Sequence, residues 1–215
     1  MSIDKQFIGC LDFAEVRAYQ ERLHEKRRLG LVGDGVIYCE HRPTLSLGKR
    51  ASDADWEQAL LLAHDLGSAC VRANRGGLTT FHGPGQLVVY PVISLRERRM
   101  GMRRFVGVFL SAMADAICSY GVQVKANTET PGLWLSCDPS AKLGFVGLQC
   151  LCGITNHGFS INLNCDLSPF SQFLPCGQSG IRVTSVSECL GRAVDVEEVA
   201  CRVHEHLDIA WSAGS

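Results

Sequence analysis

The residues from Arg75 to Gln86 have the composition of a ligand-binding turn. The stretch reads Arg-Gly-Gly-Leu-Thr-Thr-Phe-His-Gly-Pro-Gly-Gln, with too many glycines for a stable helix. Apolar segments flank it, so its backbone is expected to approach a ligand, with Arg75 and His82 as polar groups. The structural alternative is a long β-hairpin loop, although hairpins need only about two to five loop residues. The glycine spacing matches neither the dinucleotide-binding motif nor the Walker phosphate-binding loop, so no nucleotide is implied.

Two residues with reactive side chains stand in apolar or glycine-containing surroundings. Lys142 begins a segment that is apolar apart from Gln149, and Cys176 lies between Pro175 and Gly177. Each also has a structural explanation, because a lysine at the start of a strand usually reaches solvent and Pro-Cys-Gly suits a tight corner. A cysteine reacts as its thiolate, which a neighbouring ammonium group stabilises.

Composition excludes two classes of partner. The chain has 215 residues, enough for one domain over residues 1–215. A net charge of −1 is not that of a nucleic-acid-binding protein. No apolar run approaches the roughly 18 residues of a membrane span. The N-terminus lacks a signal-peptide core and a transit-peptide composition, so we expect a cytoplasmic protein that contacts neither nucleic acid nor membrane.

The cysteines do not form a recognisable metal or redox motif. There are eleven, scattered along the chain, and no Cys-x-x-Cys pair occurs. We therefore expect no metal site and reduced thiols. Most are expected to be inert core residues, and Cys150 and Cys152, two apart in an apolar segment, are expected to act as small hydrophobic residues on one strand face.

Helices and strands alternate along the chain. Asp12 with Glu15, and Asp195 with Glu198, have the spacing of capping boxes. The expected long helices are 13–29, 53–66, 104–120 and 196–211. The expected strands are 6–10, 36–39, 45–48, 69–73, 87–93, 122–126, 133–136, 142–152 and 154–164. The strand at 45–48 is a possible partner of the one at 36–39, and the last two strands are expected to pair around Gly153. The pattern indicates the α+β class with a mixed sheet.

Two further features have more than one interpretation. His41, near Pro43, is either an exposed loop residue or a site residue. The basic segment from Arg96 to Arg104 is either a solvated turn or a landing site for an acidic carrier protein.

The order of the motifs resembles that of the octanoyltransferase family. The matching segments are Arg75 to Gln86, Tyr90-Pro91, Lys142 to Gly147, His157-Gly158 with Asn162 to Asn164, and Pro175-Cys176-Gly177. Together they cover roughly residues 75–185, and the N-terminal part also resembles the family. The resemblance implies the fold of biotin and lipoate protein ligases, with a mixed sheet and a smaller sheet flanked by helices.

The resemblance also implies an activity. Such enzymes take an octanoyl group from octanoyl-acyl carrier protein and hold it as a cysteine thioester. They then pass it to a lysine of an apo-lipoyl domain, such as that of glycine cleavage H protein or of 2-oxoacid dehydrogenase E2. No cofactor is implied.

The resemblance assigns roles to residues. Cys176 matches the acyl-bearing position and Lys142 matches the residue that activates it. The positions that match substrate-binding segments are Arg75, Gly76, Gly77, Leu78, Thr79, Thr80, Phe81, His82, Phe145, Val146, Gly147, His157, Gly158, Phe159 and Ser160.

The residue types suit this chemistry. An ammonium about 4 Å from a thiolate stabilises it by on the order of 4 kcal/mol at an effective dielectric of about 20. Lys142 could then protonate the departing thiolate and later accept a proton from the acceptor amine. His82 and His157 are possible auxiliaries, and glycine-rich backbone could form an oxyanion hole. Four residues are candidate walls of an acyl tunnel or plain core residues: Leu78, Phe81, Phe145 and Phe159.

Three residues depart from the family pattern. Phe159 and Ser160 stand where a Leu-Ala pair is usual, and Phe145 stands where a small residue is expected. Phe159 is expected to reshape the acyl pocket, which leaves the preferred chain length open.

Other functions remain compatible with the sequence. An ATP-dependent lipoate or biotin ligase would share the fold but needs no nucleophilic cysteine. A non-catalytic module that binds acyl groups or lipoyl domains would not need Cys176 either. A metal site among the cysteines is a third alternative.

Overall fold

Two β-sheets and five α-helices form the structure, a computed structural model that describes residues 3–212. The helices are α1 (Phe13–Arg28), α2 (Asp53–Asp65), α3 (Met102–Ser119), α4 (Val186–Leu190) and α5 (Val196–Ser212). The first strands are β1 (Asp4–Leu11), β2 (Gly35–His41), β3 (Thr44–Leu47), β4 (Ala69–Arg72), β5 (Thr79–His82) and β6 (Gln86–Val92). The others are β7 (Val124–Asn127), β8 (Gly132–Leu135), β9 (Ala141–Leu151), β10 (Ile154–Asn162) and β11 (Arg182–Val183). None of these helices has the length and apolar character needed to cross a membrane.

The large sheet is mixed, as the sequence predicts. Its strand order is β1-β2-β6-β10-β9-β8-β7, and β11 pairs with β9 outside this order. The β1–β2 and β9–β11 pairs are parallel, whereas the other neighbours are antiparallel. A second, three-stranded sheet has the order β4-β3-β5. The α+β class with a mixed and a smaller sheet is therefore confirmed.

Helix ends follow the predicted capping residues. The backbone N–H of Asp12 donates to Glu15 Oε2 at 3.3 Å before α1, and the N–H of Glu198 donates to Asp195 Oδ1 at 2.7 Å at the start of α5. Gly30 follows α1 with a φ of 72°, in the left-handed region where glycine is favoured. These local signals explain why helix boundaries could be predicted to within two residues.

The two faces of the large sheet carry different helices. α3 and α5 pack on one face, where the rings of Phe105, Phe109 and Phe159 lie in the largest apolar cluster. α1 packs on the other face, and its Val16 contacts a smaller cluster that includes Tyr90 of β6. The small sheet, α2 and the segment before Cys176 enclose a third cluster.

One strand pairing differs from the expectation. The segment expected to pair with the strand at 36–39 forms β3, which instead pairs with β4 and β5 in the small sheet. Both edges of β2 are already occupied, by β1 and by β6. Because a strand has only two edges, β3 has no place beside β2.

The glycine-rich stretch is also more ordered than a turn between two strands. Its central residues form β5, which pairs antiparallel with β3. The flanking strands β4 and β6 lie in different sheets. The stretch therefore carries the chain from the small sheet to the large one, and the hairpin alternative is wrong.

The expectation that most cysteines are core residues is wrong. Only Cys39 and Cys165 are buried, and five are exposed: Cys10, Cys137, Cys150, Cys152 and Cys189. Cys150 lies near the exposed end of β9, and Cys152 lies in the turn to β10 with a φ of 53°. The apolar segment runs on past the part of the sheet that the helices cover, so its last residues meet solvent.

The aromatic cluster under α3 should dominate stability. Phe109 is fully buried, and its ring centroid lies 4.7 Å from that of Phe105 and 5.1 Å from that of Phe159. We expect Phe109→Ala to lower the free energy of unfolding by about 3–5 kcal/mol in urea denaturation. Leu31→Ala, at an exposed leucine, should change it by less than about 0.5 kcal/mol. A loss below about 1 kcal/mol for Phe109→Ala would contradict this packing.

Candidate active site

A cavity of about 370 Å³ lies between the small sheet and the α1 face of the large sheet. Of the seventeen residues that the sequence proposes for the site, sixteen line this cavity, and Phe81 does not. They come from β5, β9, β10 and two loops, so distant parts of the chain converge here. The fold thus brings Lys142 and Cys176 into one cavity with the glycine-rich stretch.

Lys142 and Cys176 are in direct contact. Lys142 Nζ donates to Cys176 Sγ at 3.5 Å and to the carbonyl oxygen of Pro131 at 2.9 Å. Nζ also lies 4.6 Å from the ring centroid of Trp134 and 5.3 Å from that of Phe145. Hydrogen bonds and two aromatic faces thus hold the ammonium group beside the sulfur.

Lys142 is buried because of its place in the sheet. It lies near the start of β9, opposite Trp134 of β8 and opposite Val183 of β11. Lys142 is only 2% exposed. The structural explanation from the sequence, that a lysine at the start of a strand reaches solvent, therefore does not apply. Burial lowers the pKa of Lys142, and the adjacent Cys176 acts in the opposite direction. The neutral amine form of Lys142 is therefore easier to reach by loss of a proton than it is in an exposed lysine.

Cys176 projects from a tight turn. It lies in a short 3-10 turn, Pro175–Gly177, and has a φ of 59° in the left-handed region. Gly177 follows with a φ of 69°, and a Cβ there would lie 2.4 Å from Leu78 Cδ1. A side chain at 177 would require the Leu78 methyl group to move, and the positive φ also favours glycine, so Gly177 lets the turn pack closely against the glycine-rich stretch.

Arg75 braces the glycine-rich stretch from within. Its guanidinium donates to Ser46 Oγ at 3.1 Å, to the Gly76 carbonyl at 3.0 Å, to the Leu78 carbonyl at 2.9 Å and to the Ser46 carbonyl. A Cβ on Gly147 would lie 2.9 Å from Arg75 Cδ, so a side chain there would displace the arginine from its position against β9. Burial lowers the pKa of Arg75 to about 10, which still leaves it charged at neutral pH.

His82 belongs to a buried hydrogen-bond chain. Its Nδ1 lies 2.6 Å from Gln86 Oε1, and Gln86 Nε2 donates to Asn162 Oδ1 at 2.9 Å. Asn162 Nδ2 in turn donates to the Thr184 carbonyl at 3.1 Å, next to β11. Burial lowers the pKa of His82 to about 3. His82 is therefore neutral near pH 7 and links the cavity wall to the strand beside Lys142.

The other two histidines near the cavity are also neutral. His41 is fully buried, its Nε2 lies 2.8 Å from the Tyr90 hydroxyl oxygen, and its ring centroid lies 5.5 Å from that of His82. Burial lowers the pKa of His41 to about 4. His157 lines the cavity, and burial with the charges of nearby cations lowers its pKa to about 4.

Thr80 and Gly76 differ in what they offer a ligand. The Thr80 hydroxyl is buried and lacks a hydrogen-bond partner within the described part of the chain. Because an unpaired buried hydroxyl is costly, a ligand that bonds to it would gain affinity. The backbone N–H of Gly76 already donates to the Leu148 carbonyl at 3.0 Å, so it is not free for an oxyanion.

The aromatic candidates for an acyl tunnel divide into three cases. Phe81 is a core residue, edge-on to Phe170 at 6.1 Å between centroids. The Phe159 ring stacks on Phe109 in the cluster under α3 and α5, while the residue also lines the cavity. Its effect on the acyl pocket stays a prediction. Phe145 lines the cavity and stacks on Phe170 at 5.5 Å, so this departure from the family pattern forms part of the wall beside Lys142.

Comparison with known proteins agrees with this geometry. Residues 12–208 match the family model of the lipoyl protein ligase A/B catalytic domain. A curated octanoyltransferase of Desulfotalea psychrophila is 36% identical over 197 residues, covering 91% of this chain and 88% of that protein. The chain belongs to the octanoyltransferase family. Its relatives in that family are acyltransferases, and the same class of enzyme holds for this chain.

Solved structures support the shared fold of this octanoyltransferase family member. The bipartite lipoate protein ligase of Thermoplasma acidophilum aligns with a TM-score of 0.76 at 13% identity, covering 99% of this chain and 84% of that one. The biotin protein ligase of Aquifex aeolicus aligns with a TM-score of 0.57 at 14% identity, covering 99% and 70%. The predicted ligase-like fold is confirmed.

Several residues that contact Lys142 or line the cavity of this octanoyltransferase family member were not predicted from sequence. Pro131 supplies the carbonyl that binds Lys142, and Trp134 supplies an aromatic face. Arg50 and Glu129 also line the cavity. The signal for Trp134 is its register opposite Lys142, which only the sheet reveals. Among the described residues, no cluster of three or more His, Cys, Asp or Glu side chains has metal-site geometry.

The three neutral histidines predict acid sensitivity. An unfolded chain protonates histidine near pH 6.5, whereas His41, His82 and His157 resist protonation until about pH 3–4. The unfolded state thus binds more protons below about pH 6.5, and stability falls as the pH is lowered, by up to about 1.4 kcal/mol per pH unit for each histidine. Urea denaturation between pH 7 and 4.5 measures this slope.

A matched pair of variants isolates the effect. His157→Gln should reduce the slope of the unfolding free energy against pH by the amount that corresponds to about one proton. His64→Gln, at a side chain that is 90% exposed, should leave this slope unchanged. Equal slopes in all three proteins would show that the buried histidines do not control acid stability.

Proposed function

We propose that this enzyme transfers an octanoyl group from octanoyl-acyl carrier protein to a lysine of lipoyl domains, through a thioester on Cys176. Glycine cleavage H protein and 2-oxoacid dehydrogenase E2 are the acceptors we propose. The observation that carries this proposal is the 3.5 Å contact between Lys142 Nζ and Cys176 Sγ in a cavity that is partly lined by apolar side chains. Family membership supports the octanoyl part of the reaction.

The first half-reaction moves the acyl group onto the enzyme. The Cys176 thiolate attacks the thioester carbonyl of the donor, and a new bond between Sγ and the carbonyl carbon forms. The bond to the pantetheine sulfur then breaks, and Lys142 gives its proton to that departing thiolate. The contact with Lys142 stabilises the attacking thiolate beforehand, because an adjacent ammonium favours the charged sulfur.

The second half-reaction moves the acyl group to the acceptor. The neutral lysine amine of the lipoyl domain attacks the acyl-enzyme carbonyl, an amide bond forms, and the bond to Cys176 Sγ breaks. Lys142, left neutral after the first step, takes the proton that the amine loses. Burial favours this neutral state by lowering the pKa of Lys142, so one residue serves as acid and then as base.

The binding residues divide the work of holding the substrate. Leu78, Phe145, Phe170 and Phe173 would pack against the acyl chain, since they give the cavity its apolar surface. The free hydroxyl of Thr80 would meet a polar group of the substrate. Arg75 and His82 would act indirectly, by fixing the loop and the wall to which these residues belong.

Intact-mass spectrometry after mixing with octanoyl-acyl carrier protein tests the proposal. We expect one octanoyl group on the enzyme, labile to hydroxylamine and absent from Cys176→Ser. Cys150→Ser, at an exposed cysteine, should acquire the group normally. Transfer to a lipoyl domain at the normal rate by Cys176→Ser would show that catalysis is not covalent.

The ligase alternative is tested in the same assay. Ligases with this fold activate a free acid with ATP, and their chemistry does not use a cysteine nucleophile. If ATP, Mg²⁺ and octanoate sustain acylation of the lipoyl domain without any acyl-carrier donor, the enzyme is a ligase and the transferase proposal is wrong.

Replacement of Lys142 should slow the chemical step. We expect Lys142→Ala to form the acyl-enzyme about 10²- to 10⁴-fold more slowly in single-turnover measurements, because it loses both thiolate stabilisation and proton transfer. Lys125→Ala, which removes an exposed lysine from β7, is the control and should react at the normal rate. A rate for Lys142→Ala within threefold of normal would mean that Lys142 has only a structural role.

A further inference from the structure

We propose that Lys49 and Arg50 form a binding site for the phosphate of the donor's phosphopantetheine arm at the mouth of the cavity. This inference rests on the proposed function, because it concerns the same donor. It assigns a ligand group to two cations that have no part in the acyl-transfer chemistry itself.

The backbone holds both residues against the glycine-rich stretch. The N–H of Lys49 donates to the Arg75 carbonyl at 3.0 Å, and the N–H of Arg50 donates to the Gly77 carbonyl at 3.2 Å. A Cβ on Gly48 would lie 2.4 Å from the Gly77 carbonyl oxygen, so the two segments touch. The loop that carries the two cations is therefore fixed to the loop that forms one wall of the acyl cavity.

Arg50 lies at the cavity and Lys49 lies near it. Arg50 is one of its lining residues, and the charge of Lys49 contributes to the lowered pKa of His157, another lining residue. Both cationic side chains are exposed. A phosphate that arrives from solvent can therefore reach them while the arm behind it extends into the cavity.

Lys49 and Arg50 differ from neighbouring cations in having no ion-pair partner within residues 3–212. Arg17 pairs with Glu21, Arg42 with Asp12, and Arg72 with Asp53. These pairs satisfy the neighbouring cations inside the protein, which leaves the charges at 49 and 50 available to an anion.

The surroundings of Glu129 and the segment from Arg96 to Arg104 are less suitable for a phosphate. Glu129 lines the cavity with a negative charge and lies 4.0 Å from Arg103. Arg98 donates to Asp34 and lies over the Trp211 ring, at 4.8 Å from its centroid. These contacts hold Arg98 inside the protein, whereas the other arginines of the segment are exposed, so a carrier-protein landing site there stays a prediction.

The chemistry of the arm supports a phosphate rather than a carboxylate ligand. The arm joins its reactive thiol to the carrier protein through a phosphodiester, which is the one charge that travels with every such donor. An arginine and a lysine together can supply several charge-assisted hydrogen bonds to phosphate oxygens. The donor would thus be held at both ends, by the phosphate at the mouth and by the acyl chain inside.

Donors that differ only in the phosphate test the inference. We would measure kcat/KM for acyl-enzyme formation with octanoyl-4′-phosphopantetheine, octanoyl-pantetheine and octanoyl-acyl carrier protein. The unmodified enzyme should prefer the phosphorylated small donor by at least about tenfold. Lys49→Ala/Arg50→Ala should lose this preference while its rate with octanoyl-pantetheine stays within twofold of normal.

Two control variants accompany the test. Lys49→Arg/Arg50→Lys keeps both charges and should retain the preference. Arg96→Ala/Arg104→Ala removes the same charge from exposed arginines elsewhere and should retain it too. Thermal unfolding of all variants verifies that they fold, as expected, since the bonds that hold the loop come from its backbone.

Three results would overturn the inference. The first is an equal rate with the two small donors, and the second is a preference that survives Lys49→Ala/Arg50→Ala. The third is a loss seen only with the intact carrier protein, since the cations would then meet its surface instead of the phosphate. Absence of acyl-enzyme from every donor would instead overturn the proposed function, and this inference with it.

Discussion

The burial of one ammonium group is the constraint on which the site depends. Lys142 is 2% exposed, and burying an unpaired charge would be prohibitive. Its Nζ is therefore held by the Pro131 carbonyl, by the Trp134 ring and by Cys176 Sγ. These partners come from the turn before β8, from β8 itself and from the loop after β10. The strands of the large sheet must therefore pair correctly before these contacts can offset the free-energy cost of removing the ammonium group from water.

The need of buried polar groups for protein partners also explains the roles of the other polar residues. Arg75 and His82 have the appearance of substrate ligands in the sequence, yet both bond to protein groups in the structure. Arg75 fixes the stretch that carries Leu78, and His82 begins the hydrogen-bond chain that ends at Thr184. The N–H of Thr184 donates to the Lys142 carbonyl at 3.0 Å, so this chain reaches the backbone of the lysine. Buried polar contacts thus shape the cavity, and apolar side chains, the free Thr80 hydroxyl and the reacting pair form part of its inner surface.

Local signals made much of this predictable. Capping residues and apolar periodicity indicated the helices, and Gly153 indicated the β9–β10 turn. Strand pairing and the direction of side chains on the sheet could not be predicted in the same way, because they depend on residues far apart in the sequence. The pairing of β3 depends on β1 and β6 having taken both edges of β2, and the direction of Phe159 depends on which sheet face meets α3. The motifs identified the reacting residues, but the contact of Lys142 with Trp134 follows from strand register alone.

The coupling between Lys142 and Cys176 is the central claim, and the alkylation rate of each cysteine measures it most directly. Peptide mapping after a brief treatment with iodoacetamide at pH 7 compares half-buried Cys176 with exposed Cys10 and Cys137. Exposure alone would make Cys176 the slowest of these three. We predict that Cys176 reacts first, and that Lys142→Met abolishes this selectivity. If Cys176 reacts no faster than the exposed cysteines, or keeps its rate in Lys142→Met, the lysine does not activate the thiol.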